Sequence, residues 1–160
     1  MVTLGMLADA PPEQVWETVT DHAGYSDLLP GTLRTEVLED EGDRRKVAFH
    51  VNVLKVGPIS ITSDYTLKYK LDPPRRADIS WVEGEVKNVA GFWELHPVDG
   101  GKKTVVIYGI TSDLGSAKLV GPVLAKQPAT VMAINLSSAI VFVKSLMEKA
   151  TGNPRPSAPA

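Results

Sequence analysis

The sequence has no cysteine at all and only three histidines among its 160 residues. Without cysteine, the chain can form no disulfide, thiolate nucleophile or cysteine-ligated metal site. The histidines, His22, His50 and His96, are too dispersed to indicate a zinc site. We interpret His22 as a surface cap after the first helix, and His50 and His96 as exposed strand residues. No metal and no cofactor are therefore expected.

Catalytic and nucleotide-binding signatures are missing as well. The sequence contains no HExxH motif, P-loop, Gly-rich dinucleotide fingerprint or Ser/His/Asp set. Glu83 and Glu85 flank a glycine, which favours a solvated turn over an acid–base pair. Tyr65, Tyr69 and Ser63 are the groups to consider if the protein is an enzyme, but no base is visible beside them. These absences favour a protein without catalytic activity.

An excess of charge of one sign is also absent. The chain has 17 Lys and Arg against 19 Asp and Glu, a net charge of -2. This balance predicts no basic patch, so we do not expect nucleic acid as a partner.

No uninterrupted apolar stretch is long enough to span a membrane. Residues 129–143 are the most apolar, but Asn and Ser interrupt them and they fall short of the roughly 20 residues that a span needs. We therefore expect no stable membrane insertion, while transient membrane contact is compatible with the sequence. The first residues lack the basic start and apolar core of a signal peptide. That predicts a cytoplasmic protein, or a periplasmic one if an export signal before Met1 has been removed.

Length and composition predict one folded domain. A hydrophobic content of 43% over 160 residues is enough for a sizeable core. We place the domain at residues 1–150 and interpret the Pro- and Ala-rich residues 151–160 as a disordered tail.

The order of segments predicts an α+β fold. Residues 2–8 are typical of a strand, and "DAPPEQVWETVTD" and "HAGYSDLLPG" predict two short helices. Six segments rich in β-branched and aromatic residues follow from 32 to 112, separated by turn residues. Residues 129–149 predict a long helix. A curved antiparallel β-sheet wrapped around this C-terminal helix would cover every apolar face.

The long helix carries an amide in its apolar centre. At about 100° per residue, Ser137 and Lys144 share the solvent side, whereas Asn135 lies about 180° from Lys144 and faces the sheet. Ser138 lies at the edge of the covered face. An unpartnered buried amide costs about 1–3 kcal/mol, so Asn135 either has a partner in the sheet or lines a pocket. We favour the pocket.

Large aromatic residues fall on the strand positions that we assign by alternation to the concave face of the sheet. Rings with polar tips suit a pocket for a hydrophobic molecule that carries a few oxygens. These residues are Phe49, Tyr65, Tyr69, Trp81, Trp93 and Tyr108.

Several stretches together resemble a known superfamily: "APPEQVWETVTD", "ISWVEGEVKNVAGFWELHPVDGGKKTVVIY" and the long terminal helix. Over residues 2 to about 150 the chain resembles the START/Bet v1-like helix-grip fold, with the bacterial polyketide cyclase/dehydrase and coenzyme Q-binding proteins as the nearest likeness. The resemblance implies an apolar cavity between sheet and helix that holds a lipid, sterol, quinone or polyketide.

The resemblance also implies where the ligand would lie. Asn135, Ser138, Val131 and Phe142 would form the helix wall, and the aromatic residues above the sheet wall. Leu54 and Val56 would lie at the cavity mouth. The implied function is transport or sequestration of a hydrophobic molecule. A polyketide cyclase-type enzyme and a non-catalytic partner of a quinone-related or macromolecular complex remain alternatives.

Overall fold

The computed structural model describes residues 1–113 and 126–152. Residues 153–160, most of the expected disordered tail, lie outside this description. The elements in the described residues are β1 (Val2–Ala8), α1 (Pro12–Thr20), α2 (Tyr25–Leu28), β2 (Thr32–Asp40), β3 (Arg44–Val56), β4 (Ile59–Asp72), β5 (Arg76–Gly84), β6 (Lys87–Val98), β7 (Lys103–Asp113) and α3 (Pro128–Ala150).

The strands form one antiparallel sheet in the order β1-β7-β6-β5-β4-β3-β2. Sequential neighbours pair because the links between β2 and β7 are short. Gly42, with φ 86°, allows the tight turn from β2 to β3. The first strand pairs with the last, so β1 and β2 form the two edges of the sheet. The helix-grip fold expected from the sequence is confirmed.

The two halves of α3 have different surroundings. Its C-terminal half is buried against the sheet and α1 through Ala139, Val143 and Leu146. In its N-terminal half Met132 and Leu136 are exposed. Two residues of α1 and its C-terminal end hold the last turn of α3. The Gln14 side chain donates a hydrogen bond to the Ala150 carbonyl, and Asp21 forms an ion pair with Lys149 at 3.1 Å. The helix is therefore anchored at its C-terminal end.

At 23 residues, α3 is longer than the apolar stretch 129–143 of the sequence. By length and composition alone it could cross a membrane, with a mean hydropathy of 1.6 in its most apolar window. Only 28% of that window is buried inside the protein. The buried C-terminal half nevertheless serves as the core helix of the sheet.

The interpretation of His22 as a surface cap is wrong. The short 3-10 turn after α1 carries its ring under the sheet, where it is 2% exposed. The ring centroid lies 4.1 Å from that of Tyr69 and 5.2 Å from that of Tyr25. Arg45 closes the site from β3, with a guanidinium nitrogen 3.3 Å from Nδ1 of His22.

The other two histidines remain accessible to solvent. His50 is half-buried, and its Nδ1 lies 2.7 Å from a carboxylate oxygen of Asp64. His96 is exposed beside Glu94. Within residues 1–113 and 126–152, no three His, Asp or Glu side chains are arranged to hold a metal ion.

Candidate functional site

A cavity of ≈ 460 Å³ lies between the concave face of the sheet and α3. This volume is within the range of small-molecule sites in proteins. Its wall is mostly apolar and, in the described part of the chain, contains no charged side chain. The lining residues come from the α2–β2 and β5–β6 links, from strands β2 to β7 and from α3: Leu29, Pro30, Gly31, Thr32, Phe49, Val51, Asn52, Tyr65, Leu67, Tyr69, Ile79, Val86, Val89, Tyr108, Ile110, Ser112, Ile134, Asn135, Ser137, Ser138, Ala139, Val141 and Phe142.

Aromatic rings form much of the wall because strand alternation directs them to the same face. Phe49 and Tyr65 are opposite each other on β3 and β4, and their rings stack at 5.3 Å and 15°. Phe142 of α3 meets Tyr108 of β7 at 5.3 Å. The sheet and the helix thus touch through aromatic contacts, and the cavity lies beside these contacts.

Three tyrosyl hydroxyls in the wall make no hydrogen bond to the described part of the protein: those of Tyr65, Tyr69 and Tyr108. Burial raises the pKa of Tyr65 to about 12 and raises the pKa values of Tyr69 and Tyr108 well above their usual value of 10. All three are therefore neutral hydrogen-bond donors at neutral pH. Tyr25, outside the wall, differs because its hydroxyl donates to the Val19 carbonyl.

The sequence left two alternatives for Asn135, a partner in the sheet or a position in a pocket wall, and both apply. It lines the cavity, and its side-chain oxygen accepts a hydrogen bond from the Ser112 hydroxyl of β7 at 3.2 Å. This bond joins the accessible half of α3 to the sheet. The amide nitrogen has no further partner among the described residues and is available to a ligand.

The structure places seven of the ten residues predicted to bind a ligand in the cavity wall. These seven are Phe49, Tyr65, Tyr69, Tyr108, Asn135, Ser138 and Phe142. Whether they bind a ligand stays a prediction.

The other three predicted residues lie outside the wall. Trp93 is in the solid core, 1% exposed, with its ring 4.3 Å from Tyr108. Trp81 is partly buried against the core beyond the bulge that shifts the β4–β5 register. Val131 lies one helical turn before Asn135, where α3 extends past the cavity. The alternation of side chains along each strand predicted the face of the sheet on which both tryptophans lie, but not how deeply each is buried.

The mouth residues Leu54 and Val56 lie at the end of β3, but their side chains are outside the described residues. Ser137, assigned to the solvent side of α3, is exposed and also contributes to the wall, because the cavity is open there. Ser112 was missed. It follows Tyr108 and Ile110 at two-residue spacing, which could have placed it on the same face.

Comparisons with known proteins agree with this geometry. Residues 8–131 match the family described as polyketide cyclase / dehydrase and lipid transport. A ribosome association toxin from Vibrio cholerae is 33% identical over 98 residues, which are 61% of this chain and 65% of that protein.

Solved structures share the fold over nearly the whole chain. A Thermus thermophilus protein superposes with a TM-score of 0.77 at 22% identity, covering 96% of this chain and 99% of its own. An aromatase/cyclase from a Streptomyces species gives 0.75 at 22% identity, covering 99% and 98%. A START superfamily protein from Mycobacterium smegmatis gives 0.64 at 14% identity, covering 96% and 98%. Because the family match covers most of the chain, this chain belongs to the polyketide cyclase / dehydrase and lipid transport family, and that membership implies binding of a hydrophobic ligand.

Proposed function

We propose that this protein binds an uncharged hydrophobic small molecule bearing acceptor oxygens, such as a lipid, sterol, quinone or polyketide-like compound, for transport or sequestration. The observation that carries the proposal is the ≈ 460 Å³ apolar cavity, which is lined by three tyrosines whose hydroxyls have no hydrogen-bond partner among the described residues.

The charge of the wall argues for a neutral ligand. The described wall has no Asp, Glu, Lys, Arg or His, so a bound ion would lose its hydration without gaining a counter-charge. A buried hydroxyl without a partner costs about 1–3 kcal/mol, and a carbonyl or ether oxygen of the ligand would remove that cost. The Asn135 amide nitrogen would add a donor on the helix side.

Binding without turnover is favoured because the described wall offers no general base. The tyrosines are held in their neutral form, and no histidine or carboxylate lines the cavity.

Blocking the cavity from the helix tests the proposal. Ala139 is 3% exposed in the wall, so Ala139→Phe would fill the space with a benzyl group. Purified protein would be examined by native mass spectrometry for co-purifying molecules and titrated with a solvatochromic apolar probe. We expect wild type to bind with an environment-shifted emission, and Ala139→Phe to lose most of that binding.

Ala133→Phe is the matched control, since Ala133 lies exposed on the same helix and outside the wall. It should bind like wild type. Equal binding by both variants, or a wild-type protein that takes up no apolar molecule, would contradict the proposal.

A cyclase-type enzyme is the second candidate, and the same hydroxyls favour it. As neutral acids, Tyr65, Tyr69 and Tyr108 could donate hydrogen bonds to the carbonyl oxygens of a poly-keto chain and promote its enolisation. Ser63, considered earlier as a catalytic group, is buried with an unpartnered hydroxyl but lies outside the wall.

Product analysis distinguishes the two candidates. Incubation with a poly-β-keto substrate should change the distribution of cyclised products if the protein is a cyclase, and Tyr65→Phe should abolish the change. An unchanged distribution alongside tight binding of the substrate supports the carrier instead.

A further inference from the structure

Four cations face each other on the outer side of the sheet, away from the cavity. Arg44 and Lys46 of β3 are directly opposite Lys70 and Lys68 of β4, respectively. We call these four residues the β3–β4 cation cluster. Adjacent strands are about 5 Å apart and alternate residues of one strand about 7 Å apart, so four positive side chains project from one small rectangle.

The protein neutralises the cluster only in part, through Glu39 beside Lys46 and Asp78 directly opposite Lys70 on β5. Lys46 pairs with Glu39 at 3.3 Å, while Arg44, Lys68 and Lys70 are exposed and have no ion pair within residues 1–113 and 126–152. Like charges directly opposite in antiparallel strands destabilise the pair, whereas opposite charges contribute about 0.2–1 kcal/mol. The two like-charge pairs across β3 and β4 therefore do not themselves stabilise the sheet.

The cluster borders a groove of ≈ 300 Å³ on the outer face. Arg44, Lys46 and Lys68 contribute cations to it, and the partly exposed Val82 contributes an apolar spot. Arg45, which is paired with Asp40, and the carboxylates of Glu39 and Glu41 complete the lining. The groove thus combines anion-binding groups with hydrogen-bond acceptors and a small apolar surface.

We propose that this groove and the β3–β4 cation cluster bind the backbone of single-stranded RNA. The cations would contact successive phosphates, as in proteins that bind single strands through a positively charged groove. The carboxylates would accept hydrogen bonds from ribose 2′-hydroxyls, which DNA lacks. Val82 would contact a base or sugar.

The surrounding charges favour a narrow polyanion over an anionic membrane surface. Glu39 and Glu41 flank the cluster on one side, and Asp78 lies opposite Lys70 on the other. A plane of lipid phosphates would bring negative charge against these acids as well as the cations, whereas a single strand can place its phosphates on the cations and its 2′-hydroxyls on the carboxylates. The net charge of -2, which argued against nucleic acid, averages over the whole surface and does not report this local cluster.

The test is fluorescence anisotropy with a labelled 20-nucleotide oligouridine and the intact protein between 50 and 200 mM salt. Four phosphate contacts predict a slope of about −3 for the logarithm of affinity against the logarithm of salt concentration. The double variant Lys68→Glu/Lys70→Glu should weaken binding at least about tenfold and reduce the slope to about half. Its thermal stability should be maintained, because the repulsive pairs with Lys46 and Arg44 become attractive while Lys70→Glu loses the opposite charge of Asp78.

The matched control is Lys102→Glu/Lys144→Glu, which changes net charge equally at exposed positions away from the groove. It should bind RNA like wild type. The proposal is overturned if wild type does not bind at 50 mM salt, if both double variants lose affinity equally, or if phosphatidylserine vesicles bind in place of the RNA. Apolar-probe binding should be the same in both double variants, so failure of this proposal leaves the cavity proposal standing.

Discussion

At the scale of single residues, buried polar groups fall into those with a protein partner and those without. The Tyr25 hydroxyl donates to a backbone carbonyl, as burial normally requires. The Tyr65, Tyr69 and Tyr108 hydroxyls have no partner in the described chain and are in the cavity wall. The same residue type thus stabilises the fold at one position and, at the others, lines the cavity with a hydroxyl that has no partner in the described chain.

Removing one hydroxyl of each kind should separate these roles. Tyr25→Phe should lower the free energy of unfolding by about 1–2 kcal/mol, because the Val19 carbonyl loses its donor. Tyr108→Phe should leave stability within about 0.5 kcal/mol and weaken binding of a carbonyl-bearing ligand. Urea denaturation and ligand titration of both variants measure this. Equal destabilisation would mean that Tyr108 has a structural partner.

His22 should make stability depend on pH. Burial, and secondarily the Arg45 charge, lowers its pKa to about 3 from 6.5. Between these values the unfolded chain binds a proton that the folded protein excludes, so stability is full above pH 6.5 and falls as pH decreases. From pH 7 to pH 5 the loss from this residue is about 2 kcal/mol. Chemical denaturation at several pH values measures it.

One substitution tests whether His22 causes this pH dependence, and a second is its control. His22→Phe keeps a ring beside Tyr69 and should flatten the profile between pH 5 and 7. His96→Phe, at an exposed position, should leave it unchanged. The neighbouring Asp21 and Asp40 have pKa values lowered from 3.8 by their partners and titrate below this window. An NMR signal of a charged His22 imidazole at pH 5 in folded protein would refute the assignment.

At the scale of elements, α3 is a structural helix in one half and a cavity wall in the other. Its C-terminal half packs against the sheet through buried aliphatic residues. A hydrogen bond from Gln14 and an ion pair with Asp21 hold its last turn in place. Its N-terminal half exposes apolar residues and presents Asn135 and the serines to the cavity. Mutational sensitivity should therefore change along the helix.

The same substitution in the two halves measures this difference. Leu146 is 0% exposed and Leu136 is 40% exposed. Leu146→Ala should cost about 2–5 kcal/mol of unfolding free energy through lost burial and a cavity, whereas Leu136→Ala should cost less than about 1 kcal/mol. Thermal unfolding of the two variants is the measurement. Similar losses would show that the N-terminal half is packed as tightly as the C-terminal half.

At the scale of the whole molecule, the cavity arises because sheet and helix meet fully at one end only. The Asn135–Ser112 hydrogen bond joins them on the open side. Asn135→Leu should keep folding within about 1 kcal/mol, since the site is only partly buried, and weaken ligand binding about tenfold. Calorimetric unfolding and probe titration test both effects. A large loss of stability with unchanged binding would assign Asn135 to the fold alone.

Much of this arrangement could be predicted because local patterns determine it. Alternation along β4 put Tyr65, Leu67 and Tyr69 on one face, and the turn residues required antiparallel neighbours. Helical periodicity turned Asn135 toward the sheet. Periodicity gives direction but not distance from the surface. Trp93 and Tyr108 therefore looked alike in sequence, although Trp93 is core and Tyr108 is cavity wall.

The sequence by itself determined the fold class, the faces of its strands and the side of α3 that covers them, because these depend on spacing along the chain. Only the tertiary structure decided which inward residues enclose space and that His22 is buried. Those outcomes depend on where the ends of distant strands meet and how closely the helix approaches the sheet. Both are set by packing between segments far apart in sequence, which no local pattern encodes.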